Sequence, residues 1–219
     1  LYMSMLRRVF PTFAQSVSTL IVLYLNKVKY TAKMSKKTAL LLIADGSEEM
    51  EAVITTDVLR RVGINVTVAG LTENPCVKCS RDVKICVDAK LSDAINQKYD
   101  IVILPGGLNG SKAFANSSEI GKLLQQQEQE NRLIAAICAA PTALKVHGIA
   151  KGKKITSYPA MKDQLTDYYK YLEDEVVIDG NLITSRGPAT AFAFSLAIAE
   201  KLIDKQTADN VAKAILYRN

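Results

Sequence analysis

The chain has 219 residues, 48% hydrophobic and 23% charged, so it is long enough to bury one substantial core. Its formal net charge is +6, but residues 1–33 hold five basic residues and no acid, which leaves the rest nearly neutral and argues against nucleic-acid binding. Four cysteines are too few for a disulfide-stapled secreted scaffold, which favours a reducing compartment.

The basic leader, residues 1–33, contains arginines near its start and several hydroxyl residues, which is the composition of a mitochondrial presequence. A disordered extension or an alternative translation start is the other interpretation, because residues 27–33 show no clear small-residue cleavage site. The apolar stretch 17–25 is shorter than the roughly 20 residues that span a bilayer, so we expect no transmembrane span. We predict a single domain over residues 34–219.

Beyond the leader, short apolar runs alternate with helical patterns. Four of these runs are predicted strands, at residues 39–44, 65–69, 100–104 and 133–137. They are apolar on both faces, which is typical of parallel strands covered by helices. The sequence therefore predicts an α/β fold with a doubly wound, mostly parallel sheet and helices on both faces, like a flavodoxin-type sandwich.

Between the first two predicted strands, an apolar residue recurs every fourth position, at Met50, Ile54, Val58 and Val62. This spacing predicts an amphipathic helix that ends at Gly63 and completes a βαβ unit. Further along, residues 176–178 and 182–184 predict a β-hairpin, and residues 189–203 predict a closing helix.

Cys138 stands where the strand at 133–137 turns into a helix that carries Pro141 in its first turn. Small neighbours such as Ala139 allow the sharp turn of a nucleophile elbow. Because a helix N-terminus favours a thiolate, the sequence predicts a lowered pKa and a reactive thiol. From this segment alone, a small buried core residue is an equally good interpretation.

Two further segments follow strand ends. Gly106 and Gly107 permit close approach of backbone N–H groups to an oxyanion, although a simple turn is the better interpretation of that segment alone. The spacing is not that of a dinucleotide fingerprint. Glu48, Glu49 and Glu51 follow the first strand, where open α/β sheets place their ligand crevices, but acids at a helix start also favour the helix dipole.

Together these segments resemble the Parkinsonism-associated deglycase family of the ThiJ/PfpI superfamily, from about Met34 to the C-terminus. The resemblance rests on six motifs in the same order, at residues 46–51, 57–70, 79–82, 104–107, 134–142 and 184–188. It implies a nucleophilic, oxidisable Cys138 and a protonated Glu51 that hydrogen-bonds its sulfur. It further implies that the N–H groups of Gly107 and Ala139 are oxyanion donors.

The resemblance implies a cysteine-dependent glyoxalase and protein deglycase that acts on methylglyoxal and glyoxal adducts and needs no cofactor or metal. The alternative is a redox sensor and redox-dependent chaperone that works through oxidation of Cys138. A homodimer is implied too, as is a cytoplasmic location with mitochondrial and nuclear pools. Cys79 and Cys86 match peripheral cysteines of the family and are candidate secondary oxidation sites.

One position departs from the family pattern, because Tyr158 stands where several members have a histidine before the proline. The only histidine, His147, lies nine residues after Cys138, roughly 13 Å along a helix, so it is not expected to contact the thiol. A Cys-His protease is therefore disfavoured, and slow turnover is expected. We interpret the Cys76–Cys79 spacing as incidental, since no helix begins there and no second pair would complete a zinc site.

Overall fold

The computed structural model describes residues 36–217. The leader predicted over residues 1–33 lies outside the described residues. The chain from Lys37 onward forms one compact unit.

The described chain starts with the predicted βαβ unit. Strand β1 (Thr38–Ile43) leads into helix α1 (Glu49–Arg61), and strand β2 (Asn65–Gly70) returns parallel to β1. Helix α1 buries Val58 and Leu59 against the sheet, and the chain turns at Gly63 with a φ of 88°. A positive φ is readily adopted by glycine, which explains why the helix ends there.

The central sheet has seven strands in the order β10-β11-β7-β6-β1-β2-β5. Its remaining members are β5 (Ala89–Lys90), β6 (Ile101–Leu104), β7 (Leu133–Ile137), β10 (Val176–Asp179) and β11 (Leu182–Ser185). All neighbours pair in parallel except β10, which forms an antiparallel hairpin with β11. The mostly parallel doubly wound sheet and its closing hairpin are thus confirmed.

Two small sheets lie outside the central one. Strands β3 (Cys76–Lys78) and β4 (Lys84–Cys86) form an antiparallel hairpin, and β8 (Lys154–Ile155) pairs with β9 (Lys170–Tyr171). Neither pair was predicted, because strands of two or three residues are too short to show a clear alternation of apolar and polar side chains.

Helices cover both faces of the sheet. Besides α1, they are α2 (Leu91–Ala94), α3 (Leu108–Asn116), α4 (Ser118–Gln129), α5 (Pro141–Val146), α6 (Ala191–Leu202) and α7 (Lys205–Ala214). Alternate residues of β1 enter two separate cores: Leu40 packs with α3 and α4, whereas Leu41 packs with α1 and α6. The continuous apolar runs follow from this, because neither face of a central strand meets solvent.

The fold places three loop segments at one edge of the sheet. Strands β1 and β6 are neighbours, yet the chain leaves them in opposite directions across the sheet, which makes their carboxyl ends a topological switch point. The loops after β6 and β7 carry Gly107 and Cys138, and the loop after β1 leads into the first turn of α1, where Glu51 lies. The residues that the sequence singled out therefore meet at the edge where ligands bind in folds of this kind.

Candidate active site

Cys138 occupies a strained turn between β7 and α5. Its φ is 64°, a left-handed conformation that is uncommon outside glycine. The surrounding chain holds it there: the Cys138 N–H donates to the Ser185 carbonyl at 3.0 Å, and the Cys138 carbonyl accepts from the Tyr158 N–H at 2.8 Å. The predicted elbow is present, and it leaves the thiol partly exposed at the switch point.

Gly106 and Gly107 let the loop after β6 approach this elbow closely. A Cβ on residue 106 would lie 2.5 Å from Cys138 Cβ, 3.0 Å from Cys138 Sγ and 2.8 Å from Glu51 Oε2. A Cβ on residue 107, whose φ is 83°, would lie 2.2 Å from the Gly46 carbonyl oxygen. Both positions thus exclude any side chain. The sequence indicated close backbone approach at both glycines, and the family resemblance implied an oxyanion role for Gly107 alone.

Glu51 lies in the first turn of α1 and is completely buried. Its Oε2 accepts a hydrogen bond of 2.6 Å from the Gly106 N–H, while Oε1 has no hydrogen-bond partner among the residues that the structure describes. Burial raises the pKa of Glu51 to about 7, and the charge of nearby Glu48 adds to the increase. A large fraction of molecules therefore carries a proton on this carboxyl near neutral pH.

The predicted lowering of the Cys138 pKa is wrong for the resting site. Burial, and then the negative charge of Glu51, raise the pKa of the Cys138 thiol to about 12. The N–H groups of Gly107 and Ala139 act in the opposite direction, because they hydrogen-bond to the thiolate. The short helix α5 starts only at Pro141, so its dipole does not offset a buried carboxylate beside the sulfur.

The protonation states of the Cys138 thiol and the Glu51 carboxyl therefore depend on each other. When Glu51 is protonated, its charge no longer opposes ionisation of the thiol, and its O–H becomes a donor for the thiolate. A proton that moves from the sulfur to the carboxyl converts an inert thiol and carboxylate into a nucleophile beside a proton donor. This exchange needs no third titratable group.

The loop after β1 is tied to both neighbouring loops. The Glu48 N–H donates to the Gly106 carbonyl at 3.0 Å, and the buried Ser47 side chain accepts from the Ala44 N–H at 3.0 Å. The position of Glu51 therefore follows from a network around Ser47 and Gly106 that sequence reasoning did not identify.

The structure places His147 away from the thiol. It caps α5, and its Nε2 lies 2.8 Å from the Phe114 carbonyl oxygen on the α3 side of the sheet. Tyr158, in contrast, is bonded to the Cys138 carbonyl through its backbone, and its side chain is 47% exposed. The residue at the histidine position thus stands beside the elbow, and its phenol does not provide the imidazole nitrogen that a histidine would offer as a base.

The two candidate secondary oxidation sites, Cys86 and Cys79, differ in the bonding of their sulfur atoms. Cys86 is joined to Cys76 in a disulfide, so its sulfur is already oxidised in this structure. Cys79 is a free thiol but is only 4% exposed. Burial, followed by the charges of nearby Glu49, Glu48 and Asp45, raises its pKa to about 11, which makes it a poor nucleophile.

Two other kinds of site are absent from the part of the chain that the structure describes. Over residues 36–217, no group of three or more His, Cys, Asp or Glu side chains is arranged to hold a metal ion. Over the same residues, no helix has the length and apolar character needed to cross a membrane.

A cysteine elbow at the switch point of a doubly wound sheet, with a buried carboxyl and two backbone N–H groups around its sulfur, defines a class of α/β cysteine proteins. The comparisons agree with this class. The sequence model of the DJ-1/PfpI family matches residues 37–201. The chain belongs to the DJ-1/PfpI family.

Two curated relatives illustrate the match. "Protein dj-1beta" of Drosophila melanogaster is 56% identical over 181 residues, which cover 82% of this chain and 97% of the relative. "Glutathione-independent glyoxalase DJR-1.2" of Caenorhabditis elegans is 42% identical over 183 residues, which cover 83% of this chain and 97% of the relative.

Among solved structures, the crystal structure of Drosophila melanogaster DJ-1beta superposes with a TM-score of 0.83 at 55% sequence identity. The superposition covers 84% of this chain and all of the other. The resemblance to the family and the fold drawn from the sequence are both confirmed.

Proposed function

We propose that this protein is a glyoxalase and protein deglycase of the oxidative-stress response, with Cys138 as nucleophile and Glu51 as its proton partner. The observation that carries the proposal is the buried carboxyl beside the elbow cysteine, with its pKa raised to about 7. The glyoxalase named among the relatives supports the choice of small α-oxoaldehydes as substrates. Neither a metal nor an organic cofactor takes part.

The first step is attack on the aldehyde. The Cys138 proton moves to Glu51, and the thiolate forms a bond to the aldehyde carbon of methylglyoxal while the carbon–oxygen π bond breaks. The alkoxide that forms accepts hydrogen bonds from the N–H groups of Gly107 and Ala139 and then takes the proton from Glu51. The product is a hemithioacetal beside a carboxylate.

The second step is an internal redox shift. The Glu51 carboxylate removes the proton from the former aldehyde carbon and delivers it to the neighbouring carbonyl carbon, while the hydroxyl proton on the first carbon passes to the oxygen of the second. The first carbon is thereby oxidised to a thioester and the second is reduced to an alcohol. Because the electrons stay within the substrate, no external oxidant or reductant is consumed. Water then hydrolyses the resulting thioester, which releases lactate and regenerates the Cys138 thiol.

In the hemiaminals that glyoxals form on protein amines, the Cys138 thiolate displaces the amine, so that the carbon–sulfur bond forms as the carbon–nitrogen bond breaks. The amine nitrogen takes the proton that Glu51 received from the thiol, which leaves the same hemithioacetal. This reaction gives the proposed deglycase activity. The absence of a histidine at position 158 supports slow turnover, because Glu51 alone must act as acid and base in every step.

Substitution of the nucleophile tests the proposal directly. Cys138→Ala is expected to lower the rate of methylglyoxal consumption by at least about 100-fold, since it removes the covalent route. Cys79→Ala removes the other free thiol by the same change and should leave the rate within about twofold, since Cys79 is buried away from the proposed chemistry. Equal rates for the wild type and Cys138→Ala would refute the mechanism.

A redox sensor and redox-dependent chaperone is the second candidate function. The favouring observation is that Cys138 is partly exposed and lies beside a carboxyl that holds a proton near neutral pH, so that a sulfinate there gains a hydrogen-bond donor. Mild peroxide should then add about 32 Da to the wild type and nothing to Cys138→Ala, which intact-mass analysis measures. Oxidation confined to other residues would contradict this role.

The proposal includes a homodimer. The outer side of α1 exposes Met50 and Val53, each 51% accessible, which is an apolar surface that a second copy would bury. Light scattering should give twice the chain mass of 23.9 kDa for the wild type, and Met50→Lys should shift the mass toward the monomer. A wild-type mass equal to one chain would refute it.

We further propose a cytoplasmic location, with mitochondrial and nuclear pools. Fractionation of cells that express the full chain, followed by sequencing of the mature N-terminus in each fraction, tests this location and the role of residues 1–33 together. An exclusively secreted product would contradict it.

A further inference from the structure

The β3–β4 hairpin carries a pair of cysteines outside the candidate active site. Cys76 and Cys86 stand directly opposite each other in the register of the two strands, with their Cα atoms 3.9 Å apart, and their sulfurs are bonded. Facing positions on paired strands hold the two sulfurs within reach of each other, so the bond can form and break while the hairpin stays paired.

The two sulfurs differ in accessibility. Cys86 is exposed at the end of β4, whereas Cys76 is half-buried at the start of β3. An incoming thiolate or small disulfide can therefore reach Cys86, and Cys76 is placed to attack the Cys86 sulfur afterwards. The exposed side chain of Lys84, two residues before Cys86 on the same strand, adds positive charge that favours a thiolate, whereas Lys78 is ion-paired with Asp82.

The hairpin is bonded to the loop that leads into helix α1, whose first turn holds the active-site carboxyl Glu51. The Gly46 N–H donates to the Lys78 carbonyl, and the Lys78 N–H donates to Asp45 Oδ1, each at 2.8 Å. Two residues further along, the Ser80 N–H donates to the Ser47 carbonyl, also at 2.8 Å.

Side chains of the first turn of α1 make further contacts with the hairpin. The Ser80 hydroxyl lies 2.7 Å from Glu48 Oε2 and 2.8 Å from Glu49 Oε2, and the Arg81 N–H donates to Glu49 Oε1 at 2.8 Å. Any loosening of the hairpin therefore reaches the turn of helix in which Glu51 lies.

We propose that Cys76 and Cys86 are a reversible dithiol–disulfide site that exchanges with low-molecular-weight disulfides and controls how firmly residues 45–51 are held. In the oxidising direction, the Cys86 thiolate attacks one sulfur of the small disulfide and expels the first thiolate. Cys76 then attacks the Cys86 sulfur and expels the second. Two cysteine thiols lose two electrons and two protons, and one small disulfide becomes two thiols.

This site is independent of the proposed glyoxalase and of sulfinate formation at Cys138. Sulfinate is largely irreversible, whereas thiol–disulfide exchange is reversed by reduced thiols. The protein therefore carries a second redox response, which operates without loss of the nucleophile.

Equilibration of the purified full chain in glutathione buffers of varied reduced-to-oxidised ratio tests the site. The wild type should pass between a dithiol and a disulfide that links residues 76 and 86, measured by alkylation and peptide mass mapping. Cys76→Ser should instead accumulate a mixed disulfide of glutathione on Cys86, while Cys86→Ser should form neither product. These matched variants keep the hairpin register, so they identify the order of attack.

Three outcomes would overturn the assignment: a disulfide that persists at every ratio, dithiols that persist at every ratio, or a bond between Cys86 residues of two copies on a non-reducing gel. The link to the active site has its own measurement. Reduction should speed amide hydrogen exchange over residues 45–51 and change the alkylation rate of Cys138 at least about twofold. Identical values in both redox states would refute the control of this segment.

Discussion

Two sulfur-bearing regions of the molecule differ in how their surroundings shape cysteine chemistry. Cys138 sits on a strained elbow, faces a buried carboxyl and has no second cysteine as a bonding partner. Cys76 and Cys86 sit on a peripheral hairpin, and each has the other as its partner.

The two regions differ in the reaction that their cysteines undergo. In the active site, a proton moves from the Cys138 thiol to the Glu51 carboxyl, and the resulting thiolate can attack a carbon atom. In the hairpin, the two sulfurs share a covalent bond, which thiol–disulfide exchange can break and form again. Variants at the active site should therefore change proton transfer, and variants at or near the hairpin serve as the reference for several of them.

The largest expected effect comes from removal of the shared proton. Glu51→Gln keeps an acceptor for the Gly106 N–H but has no titratable group, so methylglyoxal turnover should fall by about 100- to 10,000-fold. The control is Glu48→Gln, which removes a neighbouring carboxylate bonded to the hairpin and should change turnover less than about threefold. A similar loss of turnover in both variants would mean that Glu51 contributes only negative charge near the active site and does not transfer a proton.

The same carboxyl should make stability depend on pH. Because the pKa of Glu51 rises from 4.5 to about 7 on folding, the folded state holds the proton longer than the unfolded state, and stability is lost as pH rises from about 4.5 to about 7. Relative to Glu51→Gln, the wild type should lose roughly 3 kcal/mol across this window. Urea unfolding of both proteins at several pH values measures the difference.

The hairpin gives the reference for this pH effect. The double variant Cys76→Ser with Cys86→Ser removes a bond that does not titrate, so its stability should differ from that of the wild type by the same amount at pH 5 and pH 8. If the free energy of unfolding changes with pH in the same way for the wild type and for Glu51→Gln, the raised pKa of Glu51 is contradicted.

A methyl group at position 106 tests the close packing of the active site. Gly106→Ala would press against Cys138 and Glu51 at 2.5 to 3.0 Å, so it should displace both and lower turnover by about 100-fold. Gly70→Ala is the matched change near the hairpin, where the nearest atom is a Val87 side-chain carbon at 3.1 Å. Its turnover should stay within about twofold, and kinetic assays of both variants check the contrast.

The smallest effect is expected at the mouth of the active site. Tyr158→His adds a base that titrates near neutral pH, while the backbone bond to the Cys138 carbonyl stays in place. Turnover should rise, but by less than about tenfold. Tyr158→Phe adds no base and serves as the control. A Phe variant that gains as much as the His variant would show that the change is steric.

Much of the fold was predictable because its signals are local. The strand at residues 133–137 was predicted with the bounds it has, and the helix of the βαβ unit ends where Gly63 indicates. Apolar periodicity and turn residues act within a few positions of each other, so they are visible in the sequence. Helix α7 (Lys205–Ala214) was missed, although Asp204 caps it by accepting from the Thr207 N–H.

The architecture, the family and the short set of residues at the carboxyl ends of the strands follow from the sequence alone. Only the tertiary structure shows that the pKa of the Cys138 thiol is raised, that Gly106 lies against both the sulfur and Glu51, and that Cys86 is bonded to Cys76. The reason is physical: burial, Coulomb interaction and sulfur–sulfur bonding depend on distances in space, and these distances join residues that are far apart in the chain.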